Sequence, residues 1–134
     1  MRSTSTAARA AGCRFDLMLT AWIHEDCFDE QLMESYLAVN KYEWYADSAL
    51  TTPIPDDVVR QGDHFRVYVV PEFHYVHCAY MWETQMRAWN EWREIDQRIW
   101  DLGHSTHCEK LLVEHVLPRN YTRLTVAFDR CGIP

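Results

Sequence analysis

Two short stretches hold the residues best suited to chemistry: "HYVHC" at 74 to 78 and "HSTHC" at 104 to 108. Both follow the pattern His-x-x-His-Cys, and each member lies thirty residues from its counterpart. At this chain's own His and Cys frequencies a single match arises by chance on the order of once in a hundred such sequences, so two require a cause. On a helix, residues at i, i+3 and i+4 share one face, with Cβ atoms about 5 to 6 Å apart. His74, His77 and Cys78 can therefore converge on one point, and His104, His107 and Cys108 can do the same. Brought together, the two copies supply four imidazoles and up to two thiolates, a donor set for copper, zinc or iron rather than magnesium or calcium. The sulfurs stay open at this level: Cys78 and Cys108 can be ligands, a disulfide joining the two motifs, or buried thiols.

Other chemistries lack their residues. The chain has no Gly-rich phosphate loop, no G-x-S-x-G elbow, no H-E-x-x-H, no C-x-x-C and no E-x-x-H pair. A formal net charge of −7 and a pI near 5.4 argue against a nucleic-acid partner, which needs a clustered basic surface. No apolar run reaches the roughly 18 to 20 residues of a membrane span. Five scattered cysteines do not read as a small disulfide scaffold, and their odd number leaves one outside any set of pairs.

The elements that must hold the motifs come next. A length of 134 residues with 48% hydrophobic composition fits one core. Residues 1 to 21 read as a poorly ordered start, with three Arg and no acid in the first fourteen, a composition that also suits a transit peptide. Residues 22 to 134 read as one domain. Asp26 as N-cap and three-four apolar spacing predict a helix from 26 to about 47, carrying Phe28, Leu32, Tyr36 and Val39 on one stripe. "TTPIPDD" makes a loop, and "HFRVYVV" alternates as a strand whose best partner is "TRLTVAF" at 122 to 128. A second helix starts at 74, with Cys78, Trp82, Gln85, Trp89 and Trp92 on one stripe that reads as core. Gly103 marks a break. Thr106 and Glu109 then form a capping box, placing His107 and Cys108 in the first turn and His104 outside it. The expected class is mainly α with a small β ribbon, an α+β domain with helices around a His-rich site. His24, His64 and His115 read as core histidines.

The doubled motif, "WIHEDCFDEQLMESYL" and "EFHYVHCAYMW" together resemble the fungal UstYa-like family, the ustiloxin-type oxidases of secondary-metabolite and mycotoxin biosynthesis, from about Trp22 to Cys131. The resemblance implies oxidative tailoring of a peptide or other small-molecule scaffold by hydroxylation, desaturation, ring closure or halogenation. It implies copper, with iron or zinc as alternatives, on His74, His77, His104 and His107. Members usually carry a membrane anchor in the secretory pathway; this chain shows none and reads as soluble, and a homodimer is a reasonable expectation for it. Glu72, Asp101 and Glu109 flank the motifs as candidate acceptors that orient the imidazoles. Tyr75, Tyr80, Trp82 and Trp89 are candidate pocket residues. Two other readings use the same residues: a non-catalytic module closed by structural zinc, and a metal-free helical domain stapled by Cys78 and Cys108.

Overall fold

The computed structural model describes residues 4–132. Over that range the chain is an α+β domain with helices packed on three small sheets. In chain order the elements are α1 (Ser5–Ala10), β1 (Cys13–Asp16), β2 (Ala21–His24), α2 (Glu30–Asn40), β3 (Trp44–Tyr45), β4 (Pro53–Ile54), α3 (Asp56–Val59), β5 (Arg66–Val69), α4 (Phe73–Glu91), β6 (Ile95–Asp96), α5 (Leu102–Glu114), β7 (Thr122–Thr125), β8 (Ala127–Phe128) and β9 (Cys131–Gly132).

The expected strand pair forms. β5 runs antiparallel to β7 with Val67 opposite Leu124, and both of those side chains are buried. Pro71 then ends the strand, and α4 starts two residues later. A second sheet joins distant parts of the chain, since β2 pairs antiparallel with β1 and parallel with β8.

The amino-terminal stretch differs from its expectation. Residues 1 to 3 lie outside the described residues, but residues 4 to 21 build α1, β1 and the turn into β2. Leu17, Met18 and Leu19 are at most 1% exposed. Burying a side chain of that size contributes about 1.5 to 3 kcal/mol, enough to offset about 1 to 2 kcal/mol of backbone ordering per residue. Arginine-rich composition upstream said nothing about this apolar run.

Helix α2 is shorter than the spacing predicts. Glu25–Cys27 form a 3-10 turn capped by His24, whose Nδ1 accepts from Asp26 N. The α-helix starts only after Asp29, whose Oδ1 accepts from Leu32 N at 3.0 Å. It stops at Lys41, which adopts left-handed φ and ψ. Val39, expected on the apolar stripe, is exposed.

Helix α4 spans Phe73–Glu91, but its buried residues are Phe73, His77, Cys78, Tyr80, Met81, Thr84 and Ala88, of which only Cys78 belongs to the expected stripe. The Trp stripe lies on the other side. Trp82, Trp89 and Trp92 are 66%, 54% and 95% exposed, so periodicity found the helix and the wrong face of it. Helix α5 starts a turn earlier than the Thr106 capping box predicts. Asp101 is the N-cap, its Oδ1 accepting from Gly103 N at 2.8 Å, and Gly103 lies inside the helix. Asp is a strong N-cap residue, and its position directly before Leu102 carried the signal.

Candidate metal centre

The earlier start of α5 puts His104, His107 and Cys108 at i, i+3 and i+4 of one helix, as His74, His77 and Cys78 are on α4. The two helices pack together, and Cys78 and Cys108 close the contact as a disulfide with Cα atoms 5.3 Å apart. Both sulfurs are therefore bonded to each other and leave the donor set. The ligand and free-thiol readings of these two residues fall with that pairing.

One turn back from the disulfide the four imidazoles form a ring. Ring centres are 5.2 Å apart for His74 and His107, 5.9 Å for His77 and His104, 6.2 Å for His74 and His77, and 6.4 Å for His104 and His107. His107 Nε2 lies 3.3 Å from His74 Nε2. Two nitrogens that share a tetrahedral ion, each about 2.0 to 2.1 Å from it, stand about 3.3 to 3.4 Å apart, so the separation of this pair matches that of two ligands on one ion. The full ring is looser. No three imidazoles present nitrogens all within 4.8 Å of one another, so closing all four on one ion takes side-chain rotation.

Protonation favours ligation. Burial pushes His77 down to about 3, against a pull in the other direction from its bond to Met18. Burial also lowers His74, helped by the charges of His107 and His104. His104 is lowered by burial first and then by Arg98, while the Arg98 main chain and Asp101 act in the opposite sense. Neutral imidazole is the form that binds a metal.

The group that orients His77 is a main-chain carbonyl. His77 Nδ1 lies 2.6 Å from Met18 O, so Nδ1–H donates there and the Nε2 lone pair is left for a ligand. Asp16, fully buried, holds the turn that presents this carbonyl: its Oδ1 accepts from Leu19 N at 3.0 Å and its Oδ2 from Tyr80 Oη at 2.6 Å. Arg98 braces the same turn from the other side, donating to Leu19 O at 2.8 Å and to Asp129 at 3.1 Å. Met18, Asp16 and Arg98 were not legible as parts of a site. A carbonyl has no residue-type signature, and Arg98 reaches the turn across 79 positions of sequence.

Carboxylates picked from sequence as orienting groups do other things. Asp101 caps α5, Glu72 is exposed at the N-cap of α4 without a side-chain capping bond, and Glu109 is exposed at the rim of the cavity beside the Cys78–Cys108 disulfide. Of the aromatic candidates, Trp82 lines a cavity of about 310 Å³ beside the disulfide, with Met81, Ile99 and Leu112. Tyr80 is buried in the core, Tyr75 packs on His115, and Trp89 is an exposed residue of α4. His115 is the exposed left-handed end of α5 and His24 is half-exposed, so neither is a core histidine; His64 is half-buried edge-on against Phe15.

The histidine ring opens on two other cavities. One of about 250 Å³ is bounded by Phe73, His74, His77, Arg98, Arg123 and Leu124, among others. The second, of about 270 Å³, shares His74, Thr122 and Arg123 with the first and is bounded also by Pro71, Leu117, Arg119 and Tyr121.

One tight three-donor group lies elsewhere among the described residues: Cys27, Glu94 and Cys131. Cys27 and Cys131 form a disulfide, with Glu94 3.3 Å from Cys131 Sγ, so this is a bridge with a carboxyl beside it. The spacing of five scattered cysteines did not point to this second disulfide. Spacing could not reveal a bridge across 104 positions. The fifth cysteine, Cys13, is buried and belongs to neither bridge.

Among known proteins the chain is similar to phomopsin biosynthesis cluster proteins B and B′ of Diaporthe leptostromiformis, 24% identical to each over 137 residues. The alignment covers 93% of this chain and 40% of each relative, so the chain spans two fifths of the length of the curated relatives it matches. No family model and no solved structure matches it.

Proposed function

We propose that His74, His77, His104 and His107 hold copper and that the protein is an oxidoreductase that tailors a fungal secondary metabolite. The observation that carries this reading is the imidazole ring, with His74 and His107 Nε2 atoms at 3.3 Å and cavities against it. The similarity to two proteins named for a phomopsin biosynthesis cluster supports the pathway class, and the resemblance to UstYa-like oxidases supports the chemistry. Structural zinc fits less well. Such sites are dominated by thiolates in closed shells, whereas here the sulfurs are paired and the ring borders open space.

Copper held by His74, His77, His104 and His107 would supply one-electron chemistry toward dioxygen for oxidation of a substrate C–H bond. The chain's own residues supply the rest. Met18 O fixes the tautomer of His77, the disulfide holds α5 against α4, and Phe73 and Leu124 give the neighbouring cavity apolar walls. Pairing Cys78 with Cys108 also keeps two oxidisable thiols away from a redox centre.

Metal content by mass spectrometry tests the reading, on tag-free protein and a His77→Ala, His107→Ala double variant after exposure to copper, zinc and iron in competition. Stoichiometric copper in the wild type, lost in the variant, is the expected result. Zinc alone would point to a structural module, and no metal in either protein would end the proposal.

A further inference from the structure

The two cavities that meet at His74 differ from the rest of this acidic chain in the sign of their charge. The protein has 20 Asp and Glu against 13 Lys and Arg, yet no carboxylate lines either cavity. Arg98, Arg119 and Arg123 do.

Their states differ. Arg98 is committed, through its bonds to Leu19 O and Asp129. Among the described residues Arg119 and Arg123, like Arg66 and Arg130, form no ion pair, whereas Arg9, Arg14, Arg60, Arg87 and Arg93 each meet a carboxylate. Arg123 borders both cavities, from the outer face of β7. Arg119 is held by its surroundings: its guanidinium lies 5.8 Å over the Tyr121 ring and 3.3 Å from Tyr121 Oη, and Tyr121 packs edge-on against Tyr68. A guanidinium positioned on an aromatic ring beside a cavity, with its donors unpaired by acid, presents a planar fork suited to a carboxylate.

We infer that Arg119 and Arg123 bind the carboxylate of the substrate and hold its uncharged body against His74. This names a substrate class for the centre proposed above, an organic acid, and rests on that reading for its link to catalysis. In a protein of net charge −7, long-range repulsion disfavours anions, so a local pair of free arginines at the one histidine shared by both cavities acts as a filter as well as an anchor.

The test uses 4-phenylbutyrate, its neutral amide and inorganic phosphate as probes. Binding is followed by NMR titration of metal-free and copper-loaded wild-type protein and of an Arg119→Gln, Arg123→Gln double variant. Wild type should bind the acid at least about tenfold more tightly than the amide, and the variant should lose that preference, as expected when charge-assisted hydrogen bonds are removed. Copper content of the variant should match wild type, since neither arginine is a ligand. Equal binding of acid and amide, no binding of the acid at millimolar concentration, an undiminished preference in the variant, or phosphate bound in place of the acid would each overturn the inference. Charge discrimination in protein that takes up no copper would retain the anion site and remove the metal reading; copper uptake without discrimination would do the reverse.

Discussion

The same five-residue pattern occurs twice in this chain and meets two different environments. In the first copy His77 is buried, 8% exposed, and bonded to the Met18 carbonyl. In the second, His107 at the equivalent position is exposed and its ring faces His74. α4 runs through the core, whereas α5 buries only Cys108 and Leu111. One copy is thus built into the fold and the other is brought to it, and the Cys78–Cys108 bridge makes the attachment. Identical motifs do not imply identical roles: the first sets the geometry and the second completes it.

Breaking that attachment should have the largest effect. A Cys78→Ser, Cys108→Ser variant loses a cross-link across 30 positions, about 3 to 4 kcal/mol in the chain-entropy account. Thermal unfolding of the metal-free variant should fall by ten degrees or so, about what that loss produces in a domain of this size. Copper affinity should fall with it, because α5 is no longer held.

Next comes His77→Ala. It opens a hole in the core and strands the Met18 carbonyl, which together cost about 2 kcal/mol in metal-free protein. Urea unfolding at pH 7 reads this directly. His107→Ala should leave the same curve within about 0.5 kcal/mol of wild type, as for most exposed positions, while reducing copper uptake. Equal destabilisation by the two substitutions would erase the distinction between the copies.

A further effect concerns pH. His77 titrates near 3 in the folded protein and near 6.5 in an unfolded chain, so between those values the unfolded chain binds the extra proton. Its contribution to stability is present above about 6.5 and is lost as pH falls toward 3. Asp16 acts in the opposite sense: burial raises it to about 6, so its contribution declines as pH rises through that value. Comparing wild type with His77→Asn cancels Asp16, and the stability gap between the two should narrow from pH 7 to pH 4. A constant gap would mean that His77 is not held neutral by burial.

What was legible in the sequence follows the same division. Both helices and the β5–β7 pair came from periodicity and β-branched composition, and the four imidazoles came from spacing alone. Four features escaped for physical reasons. The outward Trp face of α4 escaped because periodicity gives a stripe but not its direction when both faces carry aromatic residues. The Met18 carbonyl escaped because every residue has one. The Cys27–Cys131 bridge and the Arg98 brace escaped because both are long-range contacts, set by the closed fold.

The pairing of β2 with β8 has a consequence in time. Ala21 lies beside Ala127 and Trp22 beside Phe128, so an early strand waits for a partner made more than a hundred residues later. At about 5 to 20 residues per second, a ribosome needs several seconds to deliver it. During that interval Ala21 and Trp22 lack one sheet neighbour. Completion of this sheet is therefore a late event in the life of the nascent chain, after the second motif has already emerged.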